Sequence, residues 1–141
     1  MKKSVALLLA LTTSVTFAAD SVFTYTQADR IKDMQIMARA MTEIQNGFFY
    51  NNFDMIKEGG ITLAETIERI QPPLEEREEK DVMTRFLNNK VKMTNSIKRK
   101  VRKKVTDMVQ SFKDGHPKRA LQNYKKIAES CMNCHTRLRH W

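Results

Sequence analysis

The chain has almost no pattern suited to a β-sheet. No stretch alternates apolar and polar residues with the Val, Ile and Tyr enrichment that marks a strand, which excludes a sheet as the organising element. Beyond its first residues it lacks any apolar run long enough to cross a bilayer, so it reads as not membrane-spanning. It has no internal repeat and no low-complexity tract. Cysteine is nearly absent. The only two, Cys131 and Cys134, lie in the closing stretch SCMNCHTRLRHW, which confines any thiol chemistry to one place.

The 141 residues are enough for one domain, and they open as a secretory signal would. Lys2 and Lys3 are followed by the apolar run VALLLAL at residues 5–11, and small residues near Ala18 offer a cleavage site. Thr12, Thr13 and Ser14 interrupt the run, which favours a cleaved signal over an anchor. The expected organisation is a signal peptide at residues 1–18 and one domain at 19–141, exported to the periplasm. Cleavage removes Lys2 and Lys3, so the net charge falls from +9 to +7. An exported protein meets little nucleic acid, so none is expected as a partner. The counterpart of a basic surface is an acidic protein or an anionic membrane, or the surface is simply solvated.

Helical spacing recurs instead of strands. Residues 26–47 carry Ile31, Met34, Met37, Ala38, Met41 and Ile44 on one stripe, with Gly47 as a stop signal. The aromatic link Phe48-Phe49-Tyr50 follows. Asn51 or Asn52 can cap a second helix over 53–70, with Phe53, Ile56, Ala64, Ile67 and Ile70 inward. Gly59 and Gly60 weaken its middle and mark a close approach to a neighbouring helix or a cofactor. Pro72 and Pro73 end it, and an acidic stretch leads into a short helix up to Leu87. A third long helix over 90–113 buries Met93, Ile97, Val101, Val105, Met108 and Phe112, with the basic cluster of Lys98, Arg99, Lys100, Arg102, Lys103 and Lys104 between them. Gly115-His116-Pro117 breaks the chain again. The last helix, over 118–138, turns Ala120, Leu121, Tyr124, Ile127 and Ala128 inward. Four long helices with mostly short joints imply an all-α, antiparallel up-down-up-down four-helix bundle.

Cys131, Cys134 and His135 continue the inward face of the last helix, at steps of three and four. Cys-x-x-Cys-His is the pattern of c-type haem attachment. Each thiol adds to one haem vinyl group, and the adjacent histidine binds the iron. A redox dithiol needs the pair at a helix N-terminus after a strand, where the dipole lowers a thiol pKa; here it lies at a helix end. Zinc needs a fourth ligand, for which His140 is the nearest candidate. A disulfide between the two cysteines would require a geometry that a helical backbone does not supply. One covalent haem c is the expected cofactor, with His135 on the iron.

With its motif at the end of the last helix, the chain resembles the cytochrome c′ family and its low-spin relatives. The resemblance spans nearly all of residues 19–141 but rests on few positions. Tyr124 stands seven residues before the first cysteine, where the family has a bulky side chain. Arg139 stands four after the haem histidine, where a basic residue is common. Leu138 replaces a tyrosine found in many members, so that tyrosine's hydrogen bond is not carried over. The linker IQNGFFYNN is similar to that of small related cytochromes. The resemblance further implies that Arg30 lies near a haem propionate and that Met34, four residues on, stands over the other face of the iron. A methionine there matches the low-spin, electron-carrying form; Met37 is the nearby alternative, and core packing is the plain reading of the whole methionine stripe.

Four functional readings can be weighed on these residues. Methionine–histidine ligation implies an electron carrier serving redox partner proteins, acidic ones if the basic cluster docks them. If Met34 only packs, the open face suits nitric oxide or carbon monoxide. Peroxidase activity needs a distal acid–base group, and the first helix offers none on its expected inward stripe, so the chain is not expected to be an enzyme. A haem-free helical interaction protein would leave the terminal motif without a role. A homodimer through the first two helices is compatible with the family pattern. Export is checked by mass: the secreted chain is expected to begin at Ala19 or Asp20, and a retained residue 1 would exclude a cleaved signal.

Overall fold

The computed structural model describes residues 25–72, 80–87 and 89–138. Among them every regular element is an α-helix: α1 Gln27–Phe49, α2 Phe53–Arg69, α3 Val82–Leu87, α4 Asn89–Lys113 and α5 Pro117–Leu138. The signal segment, most of the acidic stretch, Arg139 and His140 lie outside the described residues. No described helix is long and apolar enough to cross a membrane.

Each turn has a local cause. Thr26 and Asp29 form a reciprocal cap on α1: the Asp29 backbone N–H donates to Thr26 Oγ1 (3.2 Å) and the Thr26 N–H to Asp29 Oδ2 (2.9 Å). Asn51 takes the left-handed conformation, φ 50°, which asparagine tolerates. Asn52 then caps α2, its Oδ1 accepting from the Met55 N–H at 3.2 Å. Gly115, with φ 78°, reverses the chain between α4 and α5.

Helix α1 packs along α2, α2 along α4, and α4 along α5. The contacts give the directions. Gly47 meets Ile56 at one end of the α1–α2 pair, and Asp33 meets Arg69 at the other, so these helices run antiparallel. Gly60 faces Val105 and Val109, while Lys98 Nζ donates to the Glu68 carbonyl (2.7 Å), so α2 and α4 are antiparallel as well. Helices α1 and α5 meet differently. Among the described residues they touch at Tyr124, whose hydroxyl donates to the Met41 carbonyl (3.4 Å) and whose ring lies 5.8 Å from that of Phe48. Extended backbone packing does not join them.

Two inward faces differ from the spacing-based expectation. On α1 the buried residues are Asp33, Met37, Ala40, Ile44 and Gly47, whereas Ile31 and Ala38 are exposed. The buried line follows steps of four and three that include a charge, so an apolar count misplaces it. Gly47 does not stop the helix, which continues to Phe49. A Cβ at Gly47 would stand 2.7 Å from Ile56 Cγ1, and the glycine is there for that approach. On α5, Leu121 points outward, and Asn123 and Ser130 are buried beside Ala120 and Ile127. Phe48 closes the end of the core edge-on to Phe112 and Tyr124, while Phe49 and Tyr50 are exposed.

The two central glycines of α2 face two different neighbours. A Cβ on Gly59 would lie 2.9 Å from the Ala40 carbonyl oxygen and 2.9 Å from Ile44 Cγ1. One on Gly60 would meet Val105 Cγ1 at 3.1 Å. Backbone cannot yield as a valine methyl can. Gly59→Ala is therefore expected to cost about 1–3 kcal/mol by overpacking. Gly60→Ala should cost less, because the valine methyls can shift, so that the roughly 1 kcal/mol of helix propensity alanine regains at either site is less fully offset there. Urea unfolding midpoints check this, and equal losses at the two sites would contradict it.

Candidate functional site

Helices α1 and α5 touch at Tyr124, which marks the seam between them, and a line of side chains runs along each helix from that contact. On α1, Met34, Met41 and Phe48 recur every seven residues and so share a face. All three pack against the buried core. On α5, Tyr124 and Cys131 are likewise seven apart, and both pack against that core. Tyr124 touches Met41 and Phe48. The two helices run in opposite directions, as the short turn between α4 and α5 and the chain of antiparallel contacts require. Seven residues onward from Tyr124 and seven back from Met41 are each about 10 Å along the helix axis. Met34 and Cys131 therefore lie at the same level on facing sides of the seam, and by the same count Arg30 is level with His135.

The terminal motif lies half-buried on α5: Cys131, Cys134 and His135 are all of intermediate exposure. No disulfide joins the cysteines. Burial, and then the neighbouring Cys134, push the Cys131 thiol up from its ordinary value. A redox dithiol needs the opposite shift, so that chemistry has no electrostatic support here. Burial, followed by the nearby Cys131, also raises the Tyr124 hydroxyl. Among the described residues no group of three or more His, Cys, Asp or Glu gathers as metal ligands would.

Arg30 carries an unusual feature. Its Nε is buried and, among the described residues, is the buried side-chain nitrogen or oxygen with no hydrogen-bond partner. Leaving such a donor unsatisfied costs about 1–3 kcal/mol, more when it is charged. An anionic group at this end of the seam would remove that cost.

Next to Met34 in sequence, on the α2-facing side of α1, is a buried polar clamp that the spacing did not anticipate. Asp33 is only 5% exposed. Its Oδ1 accepts from Arg69 Nε (3.1 Å) and Nη2 (2.8 Å), and its Oδ2 from the Tyr25 hydroxyl (3.0 Å). Arg69 Nη2 also donates to Thr66 Oγ1 at 3.3 Å. The clamp ties the start of α1 to the end of α2 and so sets which way Met34 turns. The opposite charges of Asp33 and Arg69, one near each end of a predicted helix pair, are the sequence signal that would have found it. His116 is exposed on the α4–α5 turn. In the basic cluster, Lys98 and Arg102 bind Glu68 and Lys104 binds Asp107, while Arg99, Lys100 and Lys103 face solvent.

The clamp has a pH signature. Burial, and then the hydrogen bond to Asp33, raise the Tyr25 hydroxyl well above its ordinary value of 10.0. Its folded pKa is thus higher than its unfolded one. The stability it contributes is complete below about pH 10 and is lost as pH rises beyond that, because the unfolded tyrosine ionises first. Unfolding midpoints between pH 8.5 and 11 are expected to fall more steeply for the native chain than for Tyr25→Phe, and parallel profiles would sink the assignment. Comparison with protein-family models, with curated proteins and with solved structures returns no match for this chain.

Proposed function

We propose that this chain is a periplasmic monohaem c-type cytochrome that carries electrons, built as an antiparallel up-down-up-down four-helix bundle and lacking enzymatic activity of its own. The observation that carries the reading is the seam, with Met34 level with Cys131 and the orphaned Arg30 Nε one helical turn from Met34. The haem would supply an iron that gains and loses one electron.

The residues fit such a group. Cys131 and Cys134 stand one turn apart at the separation that two thioether links need, and His135 follows with an imidazole nitrogen for the iron. Met34 offers a soft thioether sulfur from the opposite helix. The unsatisfied Arg30 guanidinium nitrogen suits a propionate carboxylate. Tyr124 stands in the seam toward Met41 and Phe48, which it contacts through its hydroxyl and its ring. Arg139, four residues after His135 in the sequence, lies outside the described residues. Methionine and histidine on opposite sides leave little to rearrange when an electron arrives, and the methionine raises the potential. The cations around the molecule would draw in an acidic redox partner at a salt-dependent rate.

Oxidised and reduced absorption spectra of the purified chain test this. Covalently bound haem that survives denaturation, sharp low-spin bands and a methionine-to-iron charge-transfer band are the expected results. Met34→Ala should convert the spectrum to high-spin, and an unchanged low-spin spectrum would assign the ligand elsewhere. High-spin bands in the native chain with rapid carbon monoxide binding would favour a gas-binding protein. Absence of covalent haem would overturn the reading altogether.

A further inference from the structure

Away from the seam, a polar groove of about 460 Å³ runs between α4 and α5. Its walls carry Lys103, Gln110, Arg119, Gln122 and Lys126, with Asn123 among them. Asn123 is 94% buried, since only 6% of it is exposed, yet its side-chain amide makes no hydrogen bond among the described residues. Its polar atoms keep access to the groove, since among the described residues the buried side-chain atom left without a partner is Arg30 Nε, and a ligand there can engage the amide's donor and acceptor together. The groove is the side from which a ligand can reach it.

The charges indicate what kind of ligand. Lys103, Arg119 and Lys126 have no carboxylate partner among the described residues. The two acids of the groove are already engaged: Asp107 accepts from Lys104 (3.0 Å) and Asp114 from Gln110 (2.7 Å). The groove therefore attracts negative charge. A compact oxyanion such as phosphate wants donors alone, whereas Asn123 and Gln122 each present a donor and an acceptor side by side. That pairing matches the N–H and C=O of a peptide backbone. From Lys103 to Asp114 the groove follows α4 for about 16 Å at about 1.5 Å per residue. An extended peptide covers that distance in about five residues.

We propose that the α4–α5 groove is a docking site for an extended acidic peptide segment of a partner protein. The Asn123 amide binds the peptide backbone on the groove floor, and Lys103, Arg119 and Lys126 bind its carboxylates along the rim. This does not depend on haem, so it stands or falls separately from the electron-carrier reading.

The test titrates the full chain with a capped hexapeptide of alternating Glu and Ser, and follows the Asn123 side-chain amide resonances by NMR. The expected result is a saturable shift of those resonances. Asn123→Leu, which fills the same space without polar atoms, should weaken binding about tenfold. Lys103→Glu should weaken it several-fold, and Arg99→Glu, which changes the net charge equally but lies outside the groove, should weaken it much less. The proposal is overturned by no saturable shift, by equal losses for Lys103→Glu and Arg99→Glu, or by unchanged affinity in Asn123→Leu. It is likewise overturned if inorganic phosphate produces the same shift and displaces the peptide, which would make the groove a small-oxyanion site.

Discussion

Helix α1 can adopt only one rotation about its axis, and the arrangement of the other helices around the seam depends on it. Two contacts impose that rotation. Gly59 admits the Ala40 carbonyl and Ile44 to a distance at which any side chain would collide, and Asp33 is held by Arg69 and Tyr25. The first is steric and central; the second is electrostatic and terminal. Together they direct Asp33, Met37, Ala40, Ile44 and Gly47 toward α2. The face that remains, Met34, Met41 and Phe48, turns toward α5.

The number, order and rough limits of the long helices were legible in the sequence, because four stretches keep helical apolar spacing and are parted by Asn, Gly and Pro. The rotation of α1 was not. Ile31 and Ala38 fit an apolar stripe as well as Met34 does, and a carboxylate at Asp33 looked like a surface residue. Its burial becomes intelligible only with Arg69, 36 residues away, in place. Leu121 misled for the reverse reason: it is apolar but stands one position off the Ala120–Ile127 line and is left exposed beside Phe49 and Tyr124. Of the site, Cys131, Cys134 and His135 could be read from their spacing alone, since they are adjacent in the chain. Met34 and Arg30 could be joined to them only through a resemblance. Their level with Cys131 and His135 depends on helix register, which no local pattern encodes.

The charge on the surface is also less uniform than the composition suggests. Part of the basic cluster on α4 is structural, since Lys98 and Arg102 reach across to the end of α2. Exposed pairs of this sort contribute little stability, a median of about 0–1 kcal/mol, but they remove those cations from any docking role. What is left is divided between an outer face and the groove beside Asn123, and these are distinct electrostatic environments.

The Tyr124–Met41 hydrogen bond spans 83 residues of chain. The other pairings join consecutive long helices, so the loops they close are shorter. Closure entropy grows with loop length, although slowly, and it weighs against the α1–α5 contact more than against any other. That contact is also the least extensive of the four. The physics of chain closure therefore makes the seam the contact with least reason to form early and the cheapest to reopen, a joint that can admit a bulky group after the rest of the helices have found their neighbours.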